Sequence, residues 1–141
     1  MRAMSAARRD AALAIGAGAV ATALAYPPYG VSALGLVMLA PLAWLLDAAT
    51  PRRAFACAWL YSAAFGLWLC RWLVHALAVE YGVATAPAWA FSALVIGALA
   101  LVPAAAGAAY AALRPAVLAP LAFAALWTLG EWVRGALLGV P

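Results

Sequence analysis

The residues of this chain that could do chemistry are few, and two of them lie close together near its C-terminal end. Glu131 and Arg134 are three residues apart, so a helix places them on one face, where they can form an ion pair. An ionised side chain at mid-bilayer costs about 2.5 to 3.5 kcal/mol on insertion scales, so each needs a partner or an interface. One interpretation is a structural ion pair. The other is an interfacial arginine that binds a lipid phosphate.

Arg71 and His75 form a second candidate cluster, four residues apart on one helix face. Arg71 can reach the membrane interface by extending its own side chain. The simplest interpretation of His75 is an interfacial histidine without a chemical role, so this cluster is a weaker indication of function.

The two cysteines predict neither a disulfide nor a metal site. Cys57 and Cys70 lie on one predicted helix, and their spacing separates them by about 20 Å along its axis. Their spacing fits no metal-ligand pattern, so we predict packing roles for both. We expect no metal, no cofactor and no catalytic residue in this chain.

The composition predicts a membrane protein. Of its 141 residues 71% are hydrophobic and 9% are charged, which leaves too little polar surface for a soluble fold. The net charge of +4 comes from arginine alone, since the chain has no lysine. This charge is better explained by membrane orientation than by a nucleic-acid partner.

The elements that must position these residues are transmembrane helices. A span needs about 20 apolar residues, so the chain has room for about five, joined by short loops. We therefore predict an all-α bundle of about five antiparallel helices, one transmembrane domain over residues 1–141. The predicted helices are 11–26, 31–46, 54–78, 87–113 and 116–138.

The first helix allows two interpretations. Arginines precede an apolar run that ends in Ala23, Leu24 and Ala25, which is typical of a cleaved signal peptide. However, the sequence YPPYG at 26–30 is a tight turn followed at once by another apolar run, as in a helical hairpin that stays intact. We favour the uncleaved helix.

Arginine placement predicts the orientation. Six arginines lie at alternate ends of the helices and only Arg71 and Arg134 lie at the opposite ends, so the positive-inside rule places the N-terminus in the cytoplasm. The six are Arg2, Arg8, Arg9, Arg52, Arg53 and Arg114. Aromatic residues form a predicted belt at the outer interface: Tyr26, Tyr29, Trp68, Trp72, Tyr81, Trp89 and Trp132.

The most specific pattern is ALWTLGEWVRG at 125–135, which resembles a signature of the apolipoprotein N-acyltransferases. Val140 replaces the phenylalanine usual in that family, and the chain ends at Pro141, before its tryptophan. Other parts are similar in order, namely YPPYG at 26–30, LAPL at 39–42, RRAF at 52–55 and GLWLCRW at 66–72.

This resemblance implies transfer of an acyl chain from a phospholipid to the N-terminal cysteine of a lipoprotein, in a nitrilase-like domain with a glutamate, lysine and cysteine triad. A chain without lysine cannot supply that triad, so we expect an inner-membrane fragment that is inactive alone. Its partners are membrane lipids, and the lipoprotein only with the missing domain. Because of their shared predicted depth, we expect Trp72, His75, Glu131, Trp132 and Arg134 to form a lipid-contacting rim.

Two other interpretations remain open. The chain is alternatively a small non-enzymatic membrane scaffold or subunit, or the membrane half of a polyprenol-phosphate mannosyltransferase fusion. Transport is disfavoured, because no mid-membrane carboxylate or discontinuous helix pair with a polar lining is evident.

Overall fold

The protein is all-α, as the sequence predicts. The computed structural model describes residues 2–113 and 118–137, with side chains from residue 9 onward, and this part contains no strand. Its elements in chain order are α1 (Arg2–Ala25), a 3₁₀ helix (Ser32–Leu36), α2 (Ala40–Asp47), α3 (Pro51–Leu69), α4 (Arg71–Val79), α5 (Thr85–Leu99), α6 (Leu101–Leu113) and α7 (Ala119–Leu137). Expectations for the Arg2 and Arg8 side chains, for residues 114–117, which include the start of the predicted helix 116–138, and for residues 138–141, which include its end, lie outside the described residues.

Fewer helices meet the length and hydropathy of a membrane span than the five expected. Among the described residues Thr85–Leu113, which joins α5 and α6, is long and apolar enough, with a mean hydropathy of 2.0. Pro51–Leu69 and Arg71–Val79 meet the same test only together, across a bend of 46°. The prediction of about five antiparallel spans is therefore not confirmed.

Charge and chain breaks account for this difference. Arg9 and Asp10 shorten the apolar part of α1, and the ionisable pair Glu131 and Arg134 lowers the hydropathy of α7. The predicted helix 31–46 corresponds to the 3₁₀ helix followed by α2, a short apolar segment (Ser32–Asp47). The predicted helix 54–78 corresponds to α3 and α4, which meet at Cys70.

Two turns and one cap set the helix boundaries. Gly30 follows α1 and Gly82 precedes α5, and both have positive φ angles, 64° and 66°, which glycine adopts at little cost. The Gly30 N–H donates to the Tyr26 carbonyl, which closes the turn expected at 26–30. At the start of α3 the Thr50 hydroxyl accepts from the Arg53 N–H, and Pro51 occupies the first helical position.

Helix α3 is the centre of the bundle and contacts α1, α2, α5 and α6. Gly107 of α6 allows a close approach to α3, because a Cβ there would lie 2.8 Å from the Ala58 Cβ. Gly66, later in α3, faces Ile96, earlier in the α5–α6 segment. The chain directions of α3 and α5–α6 are therefore opposite.

Tyr61 ties three segments together in the interior. Its side chain is fully buried, and its hydroxyl hydrogen-bonds to Thr22 of α1. The carbonyls of Met38, at 3.0 Å, and of Gly18, at 3.3 Å, are alternative acceptors for its single proton. Since a buried hydroxyl without partners is costly, these bonds fix α1 and the start of α2 against α3.

Candidate functional site

A mostly apolar cavity of about 310 Å³ lies between α1, α3, α5 and α7. Six of its apolar wall residues are Met38, Leu39, Phe65, Leu69, Ile96 and Leu99. Gly66 also lines it, and a Cβ there would be only 2.8 Å from Ile96, so this wall has no room for a larger residue. An apolar enclosure with a few polar groups is the usual form of a small-molecule site.

The polar edge of the cavity is the ion pair between Glu131 Oε2 and Arg134 Nη2. Both side chains are about one third exposed, at 33% and 32%, so the pair is accessible from outside the bundle. Gly130 precedes the pair and faces Ala106 and Val102, which seats this part of α7 against α6. The pair therefore lies on a helix that is itself fixed.

Two buried oxygen atoms of the cavity lining have no hydrogen-bond partner among the described residues, Ser62 Oγ and Glu131 Oε1. Glu131 thus uses one carboxylate oxygen for Arg134 and keeps the other for a further donor. Buried polar atoms are normally paired, so these two are available to a polar ligand group or to water.

The inner wall of the cavity is aromatic. Trp127 packs edge-on against Tyr61, with 6.1 Å between ring centroids, and lies 5.9 Å from the Phe123 ring. On the far side of Trp127 is an open groove of about 390 Å³ between α2 and α7. Tyr110 and Asp47, which are hydrogen-bonded to each other, also line this groove. Trp127 and Leu39 line both spaces.

The structure brings together two of the five predicted rim residues. Glu131 and Arg134 line the cavity, whereas Trp72, His75 and Trp132 are exposed and are not in its lining. Trp132 adjoins Glu131 in sequence, but neighbouring residues of a helix point in different directions.

The Arg71 guanidinium, which the sequence pairs with His75, lies over the Trp68 ring at 5.1 Å from its centroid. The aromatic residues of the predicted belt are all exposed: Tyr26, Tyr29, Trp68, Trp72, Tyr81, Trp89 and Trp132.

Sequence reasoning did not select Thr22, Tyr61, Ser62 and Trp127. Thr22 and Ser62 had a usable signal, since each is a buried polar residue in an apolar stretch. Trp127 lies in the signature segment, but the residues around it in the sequence do not distinguish it from the exposed Trp132. Of the two cysteines predicted to be packing residues, Cys57 belongs to the buried core and Cys70 lines the cavity.

The geometry of the cavity and its ion pair suits the binding of a ligand. Within residues 2–113 and 118–137 no group of three or more histidine, cysteine or acidic side chains could hold a metal ion. What the site offers is an apolar enclosure with an accessible guanidinium at its edge, which suits an amphiphile with an acidic head and an apolar tail.

Comparison with known proteins gives a match to a family model and a match to a curated protein. A family model described as the apolipoprotein N-acyltransferase N-terminal domain matches residues 18–141. A protein of Chromobacterium violaceum named apolipoprotein N-acyltransferase is 40% identical over 122 residues, which is 81% of this chain and 22% of that protein. The chain thus spans about a fifth of the length of this curated relative.

Proposed function

This chain belongs to the apolipoprotein N-acyltransferase family, and from that membership we propose that its helices form the membrane part that holds the phospholipid acyl donor. The observation that carries the proposal is the Glu131–Arg134 pair at the edge of an apolar cavity. Lipoprotein maturation is then the process it serves.

The proposed location is the bacterial inner membrane, with five crossings and the N-terminus in the cytoplasm. The proposed crossings are α1, the short segment Ser32–Asp47, the bent pair α3 and α4, the continuous pair α5 and α6, and α7. Large apolar side chains exposed on different helices support this location, for example Trp44, Leu94 and Leu121. Such a surface is poorly suited to water.

In the proposed binding mode the acyl chain enters the cavity and the lipid phosphate lies beside Arg134. Glu131 holds the guanidinium in place through one oxygen, and its second oxygen is free for a donor in the lipid headgroup. Charge-assisted bonds between arginine and phosphate are strong and directional, and the apolar wall accepts the tail.

The exposed residues Trp72, His75 and Trp132 complete the proposed rim. Trp132 follows Glu131 in the chain and Trp72 lies two residues after Cys70, so both adjoin residues of the cavity lining. Indole rings favour the membrane interface, where we propose that these side chains contact lipid headgroups without entering the cavity.

The proposed division of labour leaves the covalent steps to another part of the enzyme. The family resemblance implies that a cysteine thiolate attacks an acyl ester of the phospholipid, which releases the lysophospholipid and leaves a thioester. The lipoprotein amine then attacks that thioester, which forms the amide and releases the cysteine. The triad for this includes a lysine, and these 141 residues contain none. Acyl transfer by this chain alone is therefore not expected.

The test replaces Arg134 by alanine in a chimera that joins this chain to the remaining part of the full-length Chromobacterium violaceum relative. Loss of a charge-assisted bond to phosphate is worth about 1.5 to 3 kcal/mol, so acyl transfer should fall roughly 10- to 100-fold. The matched control is Arg71→Ala, since Arg71 is predicted on the same side of the membrane but stacks on Trp68.

Radiolabelled phospholipid and a purified lipoprotein acceptor measure the transfer, with enzyme amount set by immunoblot. Arg134→Lys should retain part of the activity, because it keeps the charge but not the forked geometry. Unchanged transfer at unchanged enzyme amount in Arg134→Ala would refute the lipid-binding role and favour a scaffold function for these helices.

A further inference from the structure

The cavity and the groove are separate spaces that share one partition. The cavity measures about 310 Å³ and the groove about 390 Å³, and both are lined by Leu39 and Trp127. On the cavity side Trp127 contacts Tyr61, and on the groove side it contacts Phe123. The indole therefore occupies the volume that would otherwise join the two spaces.

This partition is held in place from both sides. Tyr61 packs edge-on against Phe65, and Phe123 packs edge-on against Tyr110, with ring centroids 5.5 Å apart in each pair. The Tyr61 hydroxyl is anchored by its bonds to Thr22 and to the carbonyls of Gly18 and Met38. A row of five aromatic rings thus crosses the bundle from the cavity to the groove, and Trp127 is its middle member.

The chemistry beyond the partition suits an apolar chain. Most of the groove lining is alkyl or aromatic, for example Leu36, Ala40, Ala43, Phe123 and Ala124, and Thr128 is one of its polar members. The ionisable side chain of its lining, Asp47, is already bonded to the Tyr110 hydroxyl. A lipid with its headgroup at Arg134 and its tail toward Trp127 would therefore contact the indole before the tail could reach the groove.

We propose that Trp127 limits the depth to which a lipid acyl chain enters the cavity, and so determines the chain length that this site prefers. The inference rests on the proposed function, since it requires a lipid tail in the cavity. The proposal assigns Trp127 as a residue that determines specificity. A smaller side chain at position 127 would open a connection between the cavity and the groove, and longer acyl chains would then gain apolar contacts in the groove.

The experiment measures lipid binding as a function of acyl chain length. The chain is reconstituted in nanodiscs and photo-crosslinked with phosphatidylglycerols that carry a terminal diazirine on acyl chains of increasing length, in competition with unlabelled lipid. The tail comes from a bilayer that is as apolar as the cavity wall, so the affinity should rise with each methylene through packing contacts alone until the chain reaches the partition, beyond which the gain stops.

In Trp127→Ala the gain should continue to longer chains, and the crosslinks should move from residues that line the cavity but not the groove, such as Phe65, to groove residues such as Ala124. Trp127→Leu is the milder variant, for use if the alanine variant does not fold. Trp44→Ala is the matched control, because Trp44 is 63% exposed and lines neither space. Filling the groove by Ala124→Phe in the Trp127→Ala background should restore the shorter limit, which general destabilisation would not do.

The outcomes separate the two proposals. An unchanged length limit in both Trp127 variants, with crosslinks still inside the cavity, overturns the role of Trp127 and leaves the proposed function standing. No crosslink to any cavity residue in the wild-type chain overturns the proposed function, and the inference with it.

Discussion

The segment of α7 that holds Glu131 and Arg134 and the start of α4, with Arg71 and His75, have similar sequence features. Each contains two ionisable residues about one helical turn apart. Each also has a tryptophan directly beside one of them. In α7 the two side chains pair and line a cavity, whereas in α4 Arg71 lies over Trp68 and His75 is exposed.

The difference comes from what each helix packs against. α7 lies along α6, and its pair sits beside α3 and α5 across the cavity. α4 follows the bend at Cys70 and packs mainly on α5, with Val74 as its buried residue. Spacing along a helix decides which side chains share a face, and the neighbouring helices decide whether that face becomes a site.

The largest expected effect concerns the packed face of α7. Phe123 is 8% exposed and contacts Tyr110 and Trp127, so Phe123→Ala removes a ring from the aromatic row. We expect a loss of about 3 kcal/mol, the lower end of the range for such changes, because lipid tails replace part of the lost apolar environment. Thermal unfolding in detergent micelles measures it.

The control for this prediction lies on the same helix. Leu121 is 68% exposed, so Leu121→Ala should change the unfolding free energy by less than about 0.5 kcal/mol. Equal losses in the two variants would mean that α7 has no preferred inner face, and the contrast with α4 would disappear.

The helical class and several chain breaks could be predicted from sequence because their causes are local. Long apolar runs predict helices, YPPYG at 26–30 ends one of them, and Pro51 after Thr50 begins another. The bend at Cys70 has no proline beside it, and Gly66, one turn earlier, also has a role in the close packing against Ile96. The local sequence therefore does not predict the bend, which depends on the contacts among α3, α4 and α5.

The cavity could not be predicted, for a physical reason. In a water-soluble helix the polar face reveals the buried one, but in an apolar helix both the lipid face and the packed face are apolar. Trp127 in the cavity wall and Trp132 on the surface are therefore equivalent in sequence. The Glu131–Arg134 pair was found because charge in an apolar stretch is rare enough to be informative.

A middle-sized effect is expected when the two ionisable clusters are compared directly. Glu131→Ala removes the partner of a cation that is one third exposed, and the loss should be about 1 to 2 kcal/mol, between the ranges for exposed and buried pairs. His75→Ala removes an exposed side chain from α4 and should leave stability within about 0.5 kcal/mol of wild type.

Chemical unfolding of both variants in micelles checks this pair of predictions. Glu131→Gln should fall between wild type and Glu131→Ala, because the amide oxygen still accepts a bond from Arg134 without the charge. A larger loss for His75→Ala than for Glu131→Ala would reverse the assignment of α7 as the structured site and α4 as the exposed surface.

The smallest expected effect is the one that the two segments share. Trp72 of α4 is 63% exposed and Trp132 of α7 is 70% exposed, so replacing either by alanine should change stability by less than about 0.5 kcal/mol. Their common role is predicted to be contact with the outer membrane interface. Lipids brominated near the headgroup quench tryptophans at the interface, and lipids brominated near the chain end quench deep ones. Each replacement should reduce the fluorescence that the headgroup label quenches and should not change the fluorescence that the chain-end label quenches. If the Trp132 signal were instead quenched by the deep label, α7 would place its signature segment far inside the bilayer, and Arg134 could not reach a lipid phosphate from there.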